Sequence, residues 1–260
     1  MHIQNKPYIL GSLLAGIPLF FGGNIQPVWW ALLAVSGLLL WQFSYQRTQH
    51  NLPKIYQMCG VVCVGVILWA IFQAFPMWQF WAHPIWHDTQ AALGGAPVWN
   101  SISTTPIQSL YSVLWLLPYP ILFYVAYQTG ENRQGIWLCK VCVWSAVIYS
   151  IYGLIMLLTP TQYVLWVEQP QYIGNMTGPF LNRNSFATYL GITLLVLTAL
   201  MVRSWHRRPM YRNMMYVVTF VFLGASLFLT ASRAGVACVV VGMVVFYICY
   251  GKKMQIKTLV

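Results

Sequence analysis

Long stretches without a single formal charge are what most constrain this chain. No Asp, Glu, Lys or Arg occurs between Lys6 and Arg47, or between Asp88 and Glu131. Only 14 Lys/Arg and 3 Asp/Glu are spread over 260 residues. A water-facing surface takes roughly a quarter of its residues as charged ones, so a soluble globular domain is excluded. Disorder is excluded too, because it requires few apolar residues and a high charge density, whereas 59% of this chain is apolar and 16% aromatic, with a mean hydropathy of +0.63. The class that remains is an all-α polytopic integral membrane helical bundle, whose apolar surface meets lipid. The net charge of +11 then reports topology and membrane lipids as partners, with no nucleic acid implied.

The spans are read as helices because lipid offers the backbone no hydrogen-bond partner, and the regular alternation of barrel strands is missing. At about 20 apolar residues per crossing, eight transmembrane helices are expected in one domain, near residues 8–23, 28–44, 56–75, 109–127, 136–158, 185–202, 214–230 and 235–250. The first two form a tight pair over Gly22, Gly23 and Pro27. The N-terminal apolar run has the length of a signal-peptide core but lacks a small-x-small cleavage site and leads into another span, so it reads as a retained helix. Orientation follows from Lys/Arg bias. With both termini cytoplasmic, twelve of the fourteen basic residues lie inside, and only Arg183 and Arg233 face out. Cys59, Cys63, Cys139, Cys142, Cys238 and Cys249 fall within spans or at their inner ends, which implies no disulfide framework.

Two outer segments are long, 76–108 and 159–184. The first carries Trp78, Trp81, Trp86 and Trp99 with almost no charge, as an interfacial or re-entrant segment would. The second ends in Gly178-Pro179-Phe180-Leu181-Asn182-Arg183-Asn184-Ser185, where Asn184 or Ser185 would cap the sixth span and Arg183 would sit at its positive end. The turn Thr230-Ala231-Ser232-Arg233-Ala234-Gly235 holds Arg233 close to the membrane surface. Two readings of this arginine pair stand. A guanidinium is permanently charged and presents a planar fork to phosphate oxygens, with helix N–H groups adding donors for the same anion; alternatively, both arginines snorkel to ordinary headgroups. Being the only outward cations favours the phosphate site.

Other groups are weaker candidates. His83 and His87 are four apart beside Asp88, but Pro84 discourages helix at His83 and no third ligand converges, so no metal is expected. Cys139-Lys140-Val141-Cys142 has redox spacing but reads as packing at the inner end of a span. Asn175-Met176-Thr177 matches a glycosylation triplet of little specificity. The loop Arg203-Ser204-Trp205-His206-Arg207-Arg208 needs only topology and anionic-lipid attraction. Glu168 and Asp88 are the outward carboxylates, read as solvated loop charges with a base role as the alternative.

Gly178-Pro179-Phe180-Leu181-Asn182-Arg183-Asn184-Ser185-Phe186-Ala187, followed by Leu229-Thr230-Ala231-Ser232-Arg233-Ala234-Gly235, resembles the O-antigen ligase and Wzy-type O-antigen polymerase family of bacterial inner-membrane glycosyltransferases. The first segment is similar to the family's G-x-F-x-N-x-N-x-x-A pattern and the second to its S-R-[GA] turn. Trp99-Asn100-Ser101-Ile102-Ser103, with Pro106 after it, is similar to the end of an early outer loop. The resemblance implies transfer of a glycan from an undecaprenyl-diphosphate carrier to a lipid A–core, polysaccharide or protein acceptor at the periplasmic face, without cofactor, nucleotide sugar or metal. It gives Arg183 and Arg233 the donor diphosphate, and Asn182 and Asn184 the ordering of the loop or contacts with sugar hydroxyls. Family members continue into a large periplasmic loop bearing a histidine thought to act as base or to position the acceptor. On that comparison residues 1–260 correspond to the N-terminal part of such an enzyme or to a shortened relative. The catalytic residue stays unassigned, because His83 and His87 lie in a different loop. A non-catalytic lipid-linked oligosaccharide carrier, or a membrane scaffold, is the alternative reading.

Overall fold

The computed structural model describes residues 6–20, 26–45, 53–77, 80–129, 133–159, 163–168, 170–205 and 209–258. Its α-helices are α1 (Lys6–Gly16), α2 (Gln26–Tyr45), α3 (Lys54–Ala74), α4 (Ile85–Ala92), α5 (Pro106–Leu116), α6 (Pro118–Thr129), α7 (Arg133–Leu158), α8 (Arg183–Ser204), α9 (Met210–Leu229) and α10 (Arg233–Thr258). The one sheet among the described residues is a hairpin of β1 (Tyr163–Val164) and β2 (Val167–Glu168).

Among the described residues, six helical stretches are long and apolar enough to cross a membrane: Tyr56–Ala74, Pro106–Gln128, Gln134–Leu158, Arg183–Ser204, Met210–Leu229 and Arg233–Tyr250. These match the third to eighth expected spans. The first is shorter than expected, since Pro18 converts the end of α1 to a single 3-10 turn and the apolar helix covers only Tyr8–Leu19. The second corresponds to the 20-residue helix α2. Gly22 and Gly23, the expected corner of a tight helix pair, lie outside the described residues, as does Trp78. The fourth span is two helices. Pro118 has no N–H to continue the ladder, so α5 stops at Leu116 and α6 restarts with Pro118 as its first residue.

Large apolar side chains on these helices face outward. Val61, Val62 and Tyr247 are 72%, 65% and 78% exposed, and leaving each such side chain in water forfeits about 1.5–3 kcal/mol. A lipid environment removes that cost, and the chain is a membrane-embedded helical protein.

The chain divides into two compact units, residues 29–128 and residues 1–28 with 129–260. In the first, Tyr56 near the start of α3 meets Phe123 and Tyr127 near the end of α6. The segment after α3 is tied back on itself: Met77 N–H donates to the Asn100 carbonyl at 2.6 Å, His83 N–H to that of Ser101 at 2.9 Å, and Ser103 N–H to that of Gln73 at 2.9 Å. Indole N–H groups of Trp99 and Trp86 donate to the Ala74 and Ser103 carbonyls.

The second unit is built around α8. Its Phe186, Leu190, Leu194 and Leu197 are buried against Ala146 and Tyr149 of α7, Leu223 and Leu227 of α9, and Met176 and Phe180 of the preceding loop. On another face α8 meets α10 over small residues. An added Cβ at Gly235 would lie 2.7 Å from Ala187 Cβ, one at Gly191 2.7 Å from Val239 Cγ2, and one at Gly242 2.9 Å from Leu195 Cδ1. Such small-residue seams let helix backbones approach closely without a hydrophobic driving force. The paired numbers rise together along the seam, so α8 and α10 run parallel. Tyr8 and Gly11 of α1 touch Trp137, and Tyr149 donates its hydroxyl proton to the Ala15 carbonyl, so α1 and α7 are parallel as well.

This layout sorts the charges of the unit. Lys140 and Arg212 share one end, near the start of α7 and of α9. The other end holds the starts of α8 and α10, with Arg183 and Arg233, and the hairpin bearing Glu168, which Tyr152 of α7 anchors by accepting the Leu165 N–H at 2.8 Å.

Candidate functional site

The approach to α8 is set by Gly178, whose φ is +54° and whose position leaves no room for a side chain, since a Cβ there would lie 2.8 Å from the buried Phe186 ring. Just before it, Met176 N–H donates to the Leu229 carbonyl at the end of α9 at 3.0 Å, fixing the loop to the bundle. Asn182 then caps α8, its side-chain oxygen accepting the Asn184 N–H at 2.8 Å. The expected cap at Asn184 or Ser185 is displaced to Asn182 because the helix starts at Arg183. Arg183 is therefore the first helical residue, at the positive end of the helix dipole.

The start of α10 has the same construction. Thr230 is buried and Ala231 adopts φ +52°. Ser232 is the cap, its Oγ accepting the Gly235 N–H at 3.2 Å, and Arg233 is the first helical residue. The two helix starts are joined: Ser232, the α10 cap, donates its hydroxyl proton to Oδ1 of Asn184, the second residue of α8, at 2.9 Å across 48 positions of sequence. Two parallel helix N-termini, each headed by arginine, are thus held side by side.

The arginines differ in their surroundings. Arg183 is half-buried, with its guanidinium 5.8 Å from the Tyr172 ring centre and Nη1 donating to Asn175 Oδ1 at 3.3 Å. Arg233 is exposed and, among the described residues, has no hydrogen-bond or ion-pair partner. Neither faces a carboxylate among those residues. Below the caps, a groove of about 200 Å³ between α8 and α10 opens past Asn184 and Ser232 onto Ile192, Leu195, Cys238 and Val239. The arrangement is two arginine-headed helix N-termini held side by side, with an apolar trough between α8 and α10 beneath them.

All four residues singled out in the sequence, Arg183, Arg233, Asn182 and Asn184, lie in this unit, where Asn182 caps α8 and Asn184 accepts from Ser232. Ser232 and Asn175 entered the sequence reading only as parts of the S-R-[GA] turn and a glycosylation triplet, and Tyr172 did not enter it. A serine directly before an apolar run is a start signal for a helix, which is the one local sign of Ser232's capping role. Its bond to Asn184 has no local signature. Asn175 is used as an acceptor for Arg183.

The remaining candidates lie elsewhere. His83 Nδ1 accepts the Ile85 N–H at 3.2 Å at the start of α4, while His87 and Asp88 are 84% exposed and 3.8 Å apart. Cys139 packs against the core of the second unit from α7. Arg207 and Arg208 lie outside the described residues. Trp99, Ser101 and Ser103 belong to the other unit, where they close the loop between α3 and α5.

No protein-family profile, curated protein or solved structure matches the chain.

Proposed function

We propose that this chain transfers a glycan from an undecaprenyl-diphosphate-linked donor to a lipid, polysaccharide or protein acceptor at the periplasmic face of a bacterial inner membrane. The observation that carries this reading is the Asn184–Ser232 bond, which brings two arginine-headed helix N-termini together. A cation at a helix N-terminus is disfavoured by about 0.3–1 kcal/mol, and two cations side by side repel each other. A diphosphate relieves both penalties, since it takes one guanidinium fork on each phosphate and the positive dipole ends. The groove below, apolar at Ile192, Leu195 and Val239, suits the start of a polyprenyl chain.

In the transfer, an acceptor oxygen bonds to the anomeric carbon while the bond from that carbon to the diphosphate breaks. The electron pair stays with the diphosphate, and the acceptor proton passes to a base outside the arginine pair. Arg183 and Arg233 stabilise the charge that grows on the leaving group, an effect whose removal costs about 100-fold or more per donor in comparable sites. The orientation that puts this end outside leaves Lys140, Arg203 and Arg212 on the cytoplasmic side, in keeping with the positive-inside bias.

Replacing Arg183 or Arg233 with alanine is expected to abolish surface-glycan attachment while membrane insertion and abundance stay unchanged. Undiminished attachment would sink the proposal. The alternative, a non-catalytic carrier of lipid-linked oligosaccharide, draws on the break at Leu117 between α5 and α6, because discontinuous helices serve transport sites. It predicts donor binding that depends on both arginines with no transferred product.

A further inference from the structure

At the end of the bundle remote from the two arginines, α7, α8 and α9 line an open-sided cavity of about 190 Å³. Lys140 and Arg212 line it together with Val143, Trp144, Leu200 and Tyr216. Lys140 is half-buried, one of the residues of the Gln134–Leu158 membrane-spanning stretch, and roughly 10 Å along the helix axis from the start of α7. Among the described residues it has no hydrogen-bond or ion-pair partner, and no Asp or Glu lines the cavity. Arg212 is held in place by its own neighbour, its Nε donating to Tyr211 Oη at 3.1 Å with the guanidinium 5.7 Å from that ring centre.

An uncompensated cation within a membrane-spanning helix is costly and calls for a partner. A second cation facing the same cavity raises that demand. We infer that this cavity binds the phosphate headgroup of an anionic membrane lipid, with Lys140 and Arg212 on the phosphate and the apolar walls against the adjoining glycerol and acyl carbons. The mostly apolar lining favours a lipid over free phosphate, and the location near the starts of α7 and α9 corresponds to headgroup depth. Basic pockets between helices on the cytoplasmic side hold lipid headgroups by the same physics. This inference uses different residues from the glycan-transfer reading and stands or falls apart from it.

The test uses the purified chain in neutral detergent, titrated with phosphatidylglycerol, with phosphatidylcholine of the same acyl chains, or with inorganic phosphate at matched concentration. Bound lipid is counted by native mass spectrometry and the thermal midpoint followed by tryptophan fluorescence. Phosphatidylglycerol is expected to bind and stabilise beyond phosphatidylcholine, and Lys140→Gln or Arg212→Gln each to weaken its binding about fivefold. Lys140→Arg is expected to keep wild-type binding. Met215→Trp, an exposed position at the cavity mouth that leaves both charges in place, is expected to reduce it, and serves if a glutamine variant fails to fold. Equal binding of the two lipids, glutamine variants that bind like wild type, or inorganic phosphate stabilising as well as phosphatidylglycerol would each overturn the assignment.

Discussion

Ala231 stands at φ +52° one residue before the Ser232 cap, where only glycine is at ease. The left-handed region costs an alanine about 1–2 kcal/mol, while glycine there would bring an entropic cost of roughly 0.5–1 kcal/mol. Strain outweighs entropy, so Ala231→Gly is expected to raise the thermal midpoint by the equivalent of up to about 1 kcal/mol; a lowered midpoint would mean that the turn is not left-handed. Gly178→Ala has the opposite sign. It adds the same left-handed cost to a clash with the fully buried Phe186 ring 2.8 Å away, and a loss of about 2–4 kcal/mol is expected from the two together, read in the same unfolding experiment. At this scale the sequence was informative where the property is one-dimensional. Arg183 and Arg233 emerge from counting charges along the chain, because orientation depends on that count. The contacts of Ser232 and Asn175 did not emerge, because they depend on side chains brought close only by folding.

The α8–α10 seam is the element-scale counterpart of the site. Gly191 and Gly235 set the distance between the helices, and with it the distance between the two caps. Gly191→Leu is expected to destabilise by about 1–3 kcal/mol through overpacking against Val239 and to lower glycan attachment, although residue 191 is two helical turns from Arg183. Ala199→Leu, on an exposed face of α8, is the control and should leave both readouts near wild type; equal effects from the two would remove the seam from the argument. The third to eighth spans were legible within a few residues because a crossing imposes its length on the apolar pattern, while the break in the fourth comes at Pro118. Span one was overestimated because its apolar residues continue through Pro18, where the helix tightens. The parallel pairing of α8 with α10 was not legible, since glycine and alanine are scattered through every span and nothing local distinguishes Gly191 from Gly37.

For the molecule as a whole, the decisive quantity is which end of residues 129–260 faces out. In a background without the six native cysteines, Ile173→Cys, 54% exposed beside the site, is expected to react with a membrane-impermeant maleimide added to intact cells. Trp205→Cys, 52% exposed at the other end of α8, is expected to react only after permeabilisation. The reverse pattern would put the arginines in the cytoplasm and end the proposal of a periplasmic donor site. The parallel course of α8 and α10 also has a consequence in time. A ribosome delivers α8 to the membrane first, then α9 as the single return, and only then the Ser232-Arg233 start of α10. Until that moment Asn184 lacks its Ser232 partner, so the nascent chain passes through a stage in which α8 is inserted without the contact that ties its start to α10. The joining of the two helix starts therefore waits for α10, an order set by the sequence of helices along the chain.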